Sequence, residues 1–422
     1  MIPRLGLFAL ALCALPRPAA AQELERAPYL QLVTSDSATI VWKTWTETPG
    51  ELRWGPSPDA LDSSATSPAS ATQHALRIDG LEPDSRTYYA VYSGDILLAG
   101  GDQHFVRTAP VAGTRRPLRM WVLGDSGTGS LAQTRVRDAL MEQVRGVPDL
   151  FLHLGDMAYG DGEEGQFTWN FYAPYADILR NTPVWPAIGN HEAHTSVSAT
   201  ESGPYYDGYV LPRGGEAGGL PSGTEAYYSF DWANAHFVVL DSADSPLGVD
   251  DAMLRWLTED LSSTEQDWLI AFWHHPPYTK GSHDSDVEGQ LIAMRENALP
   301  ILEAGGVDLV LTGHSHIYER SYLLDGGYQT PSTADGILDA GDGHPDGDGE
   351  YSKAAGLTAH DGAVYIVAGH GGTAVEGQGG HPLMQTWEVA NGSVLLDLEA
   401  GVLHARNIRQ DGAITDEVVL RK

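Results

Sequence analysis

The chain has 422 residues, of which 42% are hydrophobic and 19% charged, with a formal net charge of −32. That length is enough for two domains with sizeable cores, and the apolar-to-charged balance excludes a disordered chain. A broadly acidic surface disfavours nucleic acid and anionic membrane as partners, and it repels anionic substrates unless a local cationic centre receives them.

Residues 1–21 read as a signal peptide. Arg4 supplies the positive start, Leu5 to Leu15 is an apolar run too short to span a bilayer, and Ala19-Ala20-Ala21 suits cleavage before Gln22. A secreted or periplasmic location follows. Cys13 invites a lipoprotein reading, but the bulky Leu12 before it argues against a lipid anchor. Cleavage removes this sole cysteine, so the mature chain relies on its core and not on disulfides. No later segment is apolar for long enough to predict a membrane span.

Residues 22–110 predict an all-β sandwich. Ala38 to Thr44 alternates with period two, and Glu51 to Gly55, Leu76 to Leu81 and Thr87 to Ser93 follow, with Glu82-Pro83-Asp84-Ser85 as a turn. The stretch carries no cluster of catalytic groups, which suits a scaffold or a substrate rim. Residues 111–117, with Gly113, Arg115 and Arg116, form a linker.

Residues 118–422 predict an α/β domain with mixed sheets. Leu118 to Leu123 is a buried strand, Leu131 to Val144 has helical spacing, and Asp149 to Leu154 is a second strand. Thr168 to Leu179 is helical and Pro183 to Ile188 a third strand, an order that implies a parallel core. Glu192 to Gly223 is a long loop rich in Gly, Ser and Pro, which suits a site rim. Ala226 to Asp231 and His236 to Leu240 form an antiparallel pair, and Asp251 to Leu261 a helix. Trp268 to Trp273 and Val307 to Leu311 are strands separated by a helix over Glu288 to Ala304. Four more strands are expected at Ala363 to Ala368, Trp387 to Val389, Val394 to Leu398 and Leu403 to Ile408.

Five polar clusters end apolar, strand-like runs: Asp125-Ser126-Gly127, Gly155-Asp156-Met157-Ala158-Tyr159, Gly189-Asn190-His191-Glu192, His274, and Gly313-His314-Ser315-His316. Carboxylate, amide, imidazole and phenol groups suit hard or borderline metal ions, and the carboxyl ends of strands are where open α/β sheets bind ligands. In this order the clusters resemble the calcineurin-like metallophosphoesterases, and Tyr159 resembles their purple acid phosphatase branch. The stretch His74 to Pro83 with Tyr88-Tyr89 is similar to the fibronectin type III-like domain that precedes the catalytic domain in that branch.

The resemblance implies a two-sheet sandwich flanked by helices, and a secreted acid phosphatase acting on small phosphate monoesters. It implies that Asp125, Asp156, Tyr159 and His316 hold one metal, and that Asp156, Asn190, His274 and His314 hold the other. Two carboxylates and a phenolate suit Fe(III), and the second set suits a divalent Zn, Mn or Fe ion. Paired metals clamp phosphate and turn a bound water into the hydroxide that attacks phosphorus. His191 and His283 match the positions that contact phosphate and donate protons. Relatives often have a second histidine after the latter, where this chain has Asp284. Two other readings compete: a phosphodiesterase or nucleotide-cleaving enzyme using the same site, and a binding module without activity, against which the intact donor set argues. His275 reads as structural and His370 as a rim residue. Asp346-Gly347-Asp348-Gly349-Glu350, within the Asp/Gly-rich stretch 325–350, suggests calcium but lacks the spacing of an EF-hand loop, which favours a solvated loop.

Overall fold

The computed structural model describes residues 23–144 and 146–422, so the signal-peptide reading of residues 1–21, with Cys13, lies outside the described residues. Between Leu24 and Arg107 the chain makes two antiparallel sheets. One orders Leu24–Gln31, Ser37–Thr48 and Ala71–Asp79; the other joins Ser63–Thr66, Gly50–Gly55, Arg86–Ser93 and Ile96–Ala99, with Phe105–Arg107 on the side of Arg86–Ser93. The strand Leu24–Gln31 was not predicted. It carries Glu25, Arg26 and Pro28, which hide a strand from pattern reading, yet Arg26 is buried. Its guanidinium donates to Glu164 at 2.8 Å and Thr168 Oγ1 at 3.0 Å, and lies 3.8 Å over the Tyr172 ring. Tyr29 donates to the Gly208 carbonyl at 2.7 Å, so this sheet is seated directly on the following domain.

That domain is built on two seven-stranded sheets. The first runs in the order Val184–Pro186, Leu150–His153, Leu118–Leu123, Gly392–Glu399, Val402–Arg409, Ile414–Arg421 and Tyr351–Ser352. Its first three strands are parallel, as the alternation of strand and helix requires. The second sheet runs Tyr228–Trp232, Ala235–Val239, Trp268–Phe272, Leu309–Thr312, Val364–Ala368, Tyr318–Ser321 and Met384–Glu388. Strands 414–421 and 318–321, both with charged residues on them, were not predicted; Glu319 and Arg320 are nonetheless buried. The expected hairpin at 226–240 is present, and its turn is Ala233-Asn234 with Ala233 at φ 56°.

Alternation along the strands explains how the layers stack. In Ala235–Val239, Phe237 and Val239 join the core between the sheets, while Val238 joins the core under the helices Ala252–Ser263 and 289–304. Trp185 of the first sheet stacks on Phe230 of the second with centroids 3.9 Å apart. No helix of the described residues is long and apolar enough to cross a membrane.

At the end of the second sheet away from the long loops, buried His236 bonds Asp231 through Nδ1 at 2.7 Å and Asp260 through Nε2 at 2.8 Å. Burial works against its charge, but the two carboxylates outweigh it and raise its pKa to about 9. A raised folded-state value stabilises the fold fully below the unfolded value near ~6.5, and the contribution is lost as pH rises through about 9. Urea unfolding should therefore show stability falling between neutral pH and about pH 9 by roughly 2–3 kcal/mol. His236→Gln should flatten that slope; an unchanged slope would assign it to other groups.

Candidate metal centre

Five parallel strands point their carboxyl ends at one place. Leu118–Leu123, Leu150–His153 and Val184–Pro186 come from the first sheet, and Trp268–Phe272 and Leu309–Thr312 from the second. The loops beyond them carry Asp125, Asp156 with Tyr159, Asn190 with His191, His274, and His314 with His316. Asp125, Asp156 and His314 have φ of 57°, 58° and 65°. Left-handed backbone on non-glycine residues costs on the order of 1 kcal/mol or more each and persists where surroundings over-determine it. The glycines of the motifs serve close approach. A Cβ on Gly189 would lie 2.2 Å from Asp156 Oδ1, and one on Gly313 2.6 Å from Asp125 Oδ2.

The donor atoms fall into two groups that share one carboxylate. In the first, the Tyr159 hydroxyl is 3.0 Å from Asp125 Oδ1, 3.0 Å from Asp156 Oδ2 and 3.3 Å from His316 Nε2. In the second, Asn190 Oδ1 is 2.9 Å from His274 Nε2 and 3.0 Å from His314 Nδ1, and Asp156 Oδ2 is 3.4 Å from His274 Nε2. The His274 Nδ1 donates to the Leu154 carbonyl at 2.8 Å, which in the neutral ring leaves Nε2 as a lone pair among oxygen acceptors. Lone pairs converging in a buried place need a cation, so this donor set fits metal ions.

The ionisations agree with that need. Burial, with Asp125 and Asp156 beside it, holds the Tyr159 phenol well above its ordinary range, so a phenolate here requires added positive charge. Burial would raise the Asp156 pKa, but His274 more than offsets it and pulls it below the usual carboxylate range. His274 is pushed to about 9, with Asp156 and Asp125 overcoming its burial, while burial drops His314 to about 4.

Two supports under the site were not foreseen. Glu192 is fully buried and accepts from the backbone N–H groups of Asp156 at 2.8 Å, Met157 at 2.9 Å, Ala158 at 3.0 Å and Gly189 at 2.9 Å. It ties two of the loops into one unit; its position at the end of Gly189-Asn190-His191-Glu192 was the available signal. Buried His153 accepts from Gly155 N at 3.2 Å, so its other nitrogen donates to Ser126 Oγ at 2.9 Å.

The two outer histidines flank the donor groups. His191 lies against the Tyr159 ring at 4.2 Å, its Nδ1 donates to the Gly160 carbonyl, and its Nε2 is 3.8 Å from Asp156 Oδ2. His283 lies 3.8 Å from the His314 ring, with Nδ1 2.9 Å from Glu288 Oε2. Glu288 carried no signal in sequence beyond beginning the expected helix. His275 is buried and bonded to Ser242 Oγ at 2.9 Å, a structural position as expected.

The rim placement of His370 is corrected. It is fully buried, 2.9 Å from Asn407 Oδ1, and burial lowers its pKa to about 4; it packs behind the site because Gly369 and Gly371 carry the chain inward against Ser315 and Gly124. In the Asp/Gly-rich loop, Asp342 and Asp348 spend carboxylate oxygens on backbone N–H groups within the loop. Among the described residues, the clusters spaced to hold a metal do not include Asp346, Asp348 or Glu350.

Residues 118–318 match the calcineurin-like phosphoesterase family. Purple acid phosphatase 23 of Arabidopsis thaliana is 29% identical over 284 residues, which are 60% of this chain and 59% of that protein. The phosphoenolpyruvate phosphatase of Allium cepa is 26% identical over 307 residues, 68% of this chain and 60% of that one. The chain thus spans about half to three-fifths of the length of the curated relatives it matches. In fold it is similar to a purple acid phosphatase from yellow lupin (Lupinus luteus) seeds, with a TM-score of 0.69 at 19% identity, covering 94% of this chain and 74% of that one. It is similar also to PhoD, with a TM-score of 0.63 at 17% identity, covering 96% and 92%.

Glu192→Ala should expose the dependence of the loops on that one carboxylate. Orphaning several buried N–H groups should lower stability by about 3 kcal/mol or more, read by thermal or urea unfolding. A loss below about 1 kcal/mol would show that the loops hold without it.

Proposed function

Residues 118–318 match the calcineurin-like phosphoesterase family, and from that premise we propose that the chain is an exported, binuclear-metal acid phosphatase acting on small phosphate monoesters. The observation that carries the reading is the shared carboxylate: Asp156 Oδ2 is 3.0 Å from the Tyr159 hydroxyl and 3.4 Å from His274 Nε2. In this proposal Asp125, Asp156, Tyr159 and His316 hold Fe(III), and Asp156, Asn190, His274 and His314 hold a divalent Zn, Mn or Fe ion. When bound, such a pair supplies positive charge to the phosphate oxygens and acidifies a water to make the nucleophile.

The chain's own residues do the rest. His191 and His283 stand on either side of the donor groups and bind the phosphate oxygens. Glu288 accepts a hydrogen bond from the Nδ1–H of His283, which leaves Nε2 for the substrate. Glu192 holds Asp156 and Gly189 in register. We assign residues 22–110 to a fibronectin type III-like sandwich, 111–117 to a linker and 118–422 to the catalytic domain. The sandwich acts as a scaffold, since Arg26 and Tyr29 bind the segments that follow Tyr159 and Gly203.

Purified protein should hold about two metals per chain, iron among them, by elemental analysis after expression with iron and zinc; one metal or none would sink the binuclear reading. His274→Ala should selectively lose the divalent ion, and added Zn or Mn should partly restore hydrolysis of an aryl monoester.

Tyr159→Phe tests the iron assignment. The ring stays and the oxygen goes, so packing changes little. At matched iron content the wild type should absorb broadly in the visible through a phenolate-to-iron transition, and the variant should lose that band. An unchanged spectrum would leave Tyr159 a packed aromatic.

A further inference from the structure

His194 is one turn beyond His191 and closes the 3₁₀ turn Glu192–His194. The two rings meet edge to face at 5.6 Å. His191 itself lies 4.2 Å from the Tyr159 ring and 3.8 Å from Asp156 Oδ2, so the imidazoles step outward from the shared carboxylate. The Nδ1 of His194 is 3.4 Å from Asp161 Oδ1, on the loop just after Tyr159, and the side chain is 53% exposed. The Nδ1–H of His191 is already engaged in a hydrogen bond to the Gly160 carbonyl. On the opposite wall, Asp284 follows His283 and is paired with Lys280.

We propose that His194, backed by Asp161, is the acid that protonates the leaving oxygen, and that the site serves alkyl phosphate monoesters. The inference rests on the acid phosphatase reading of the same site. In this proposal a phosphoryl group held beside His191 has its ester oxygen outward, toward the neighbouring His194 ring. Asp161 faces the Nδ1 of His194 and leaves its other ring nitrogen for the leaving oxygen. In the step, the bond from phosphorus to the ester oxygen breaks with its electron pair on that oxygen. A bond forms between phosphorus and the attacking water oxygen, whose proton passes to solvent. The leaving oxygen takes the N–H proton of His194, and the ring recovers one from solvent. An alkoxide is a poor leaving group and needs that proton; a nitrophenolate does not.

The test compares wild type, His194→Gln and Asp161→Asn on glycerol 2-phosphate and 4-nitrophenyl phosphate, with metal content and unfolding temperature measured for each. His194→Gln should lower kcat/KM for the glycerol ester about 100-fold and for the nitrophenyl ester by less than about 5-fold. Asp161→Asn should show the same preference at smaller size, and metal content should match wild type. Equal losses on both esters, or no loss on the glycerol ester, would overturn the assignment and make His194–Asp161 a surface ion pair. Wild type inactive on both esters with two metals bound would instead overturn the acid phosphatase reading beneath it.

Discussion

The structure depends on a carboxylate that has been taken out of water. Asp156 is buried, sits at a left-handed φ of 58°, and directs Oδ2 between a phenol and an imidazole. Its other oxygen accepts the His191 N–H at 3.1 Å. Burying a charge in this way is unfavourable unless it is neutralised. Around Asp156 the neutralising groups are assembled from both sheets, and the loop that presents it is pinned by a second buried carboxylate, Glu192.

Two buried acids this close raise one another's cost. Burial, with Asp156 next to it, lifts the Glu192 pKa to about 7. The backbone N–H groups facing Glu192 offset part of that cost, and positive charge at the donor groups would offset more. The site is thus built to be completed by cations, and its protein scaffold carries the corresponding strain in its backbone and its acids. Motif glycines let the loops approach closely enough for the donor atoms to meet at about 3 Å.

Rigid support and exposed chemistry are separated. The donor groups sit on strand ends whose residues are buried, whereas His191, His194 and His283 occupy the solvent side of the same loops. The long segment after Glu192 is held by buried Tyr205, Tyr206 and Tyr209, with Tyr205 donating to the Pro186 carbonyl at 3.1 Å. Gly and Pro content alone suggested a looser rim than those aromatics make. The N-terminal sheets brace the segments around Glu164 and Gly208 through Arg26 and Tyr29.

The strand-ending motifs were legible because their chemistry is local. A polar cluster after an apolar run marks a strand end whatever the strand packs against, and the resemblance of the clusters' order to a known family singled out Asp125, Asp156, Tyr159, Asn190, His274, His314 and His316. The strands delivering them were legible for the same reason: Leu118–Leu123 is apolar throughout except Arg119. What pairing decided was invisible locally. Leu24–Gln31 and Tyr318–Ser321 hide behind charges that tertiary contacts neutralise, as Arg26 by Glu164 and Arg320 by Asp416 at 2.6 Å. Glu288 and the depth of His370 likewise depend on which loop lies beneath which, and outside a motif such as the one that ends in Glu192 a carboxylate has no signature in sequence that tells a buried clamp from a solvated surface acid. Sequence alone determined which groups end the strands; the packing of two sheets decided which of those groups meet, because the distances between loops are set by the core they stand on.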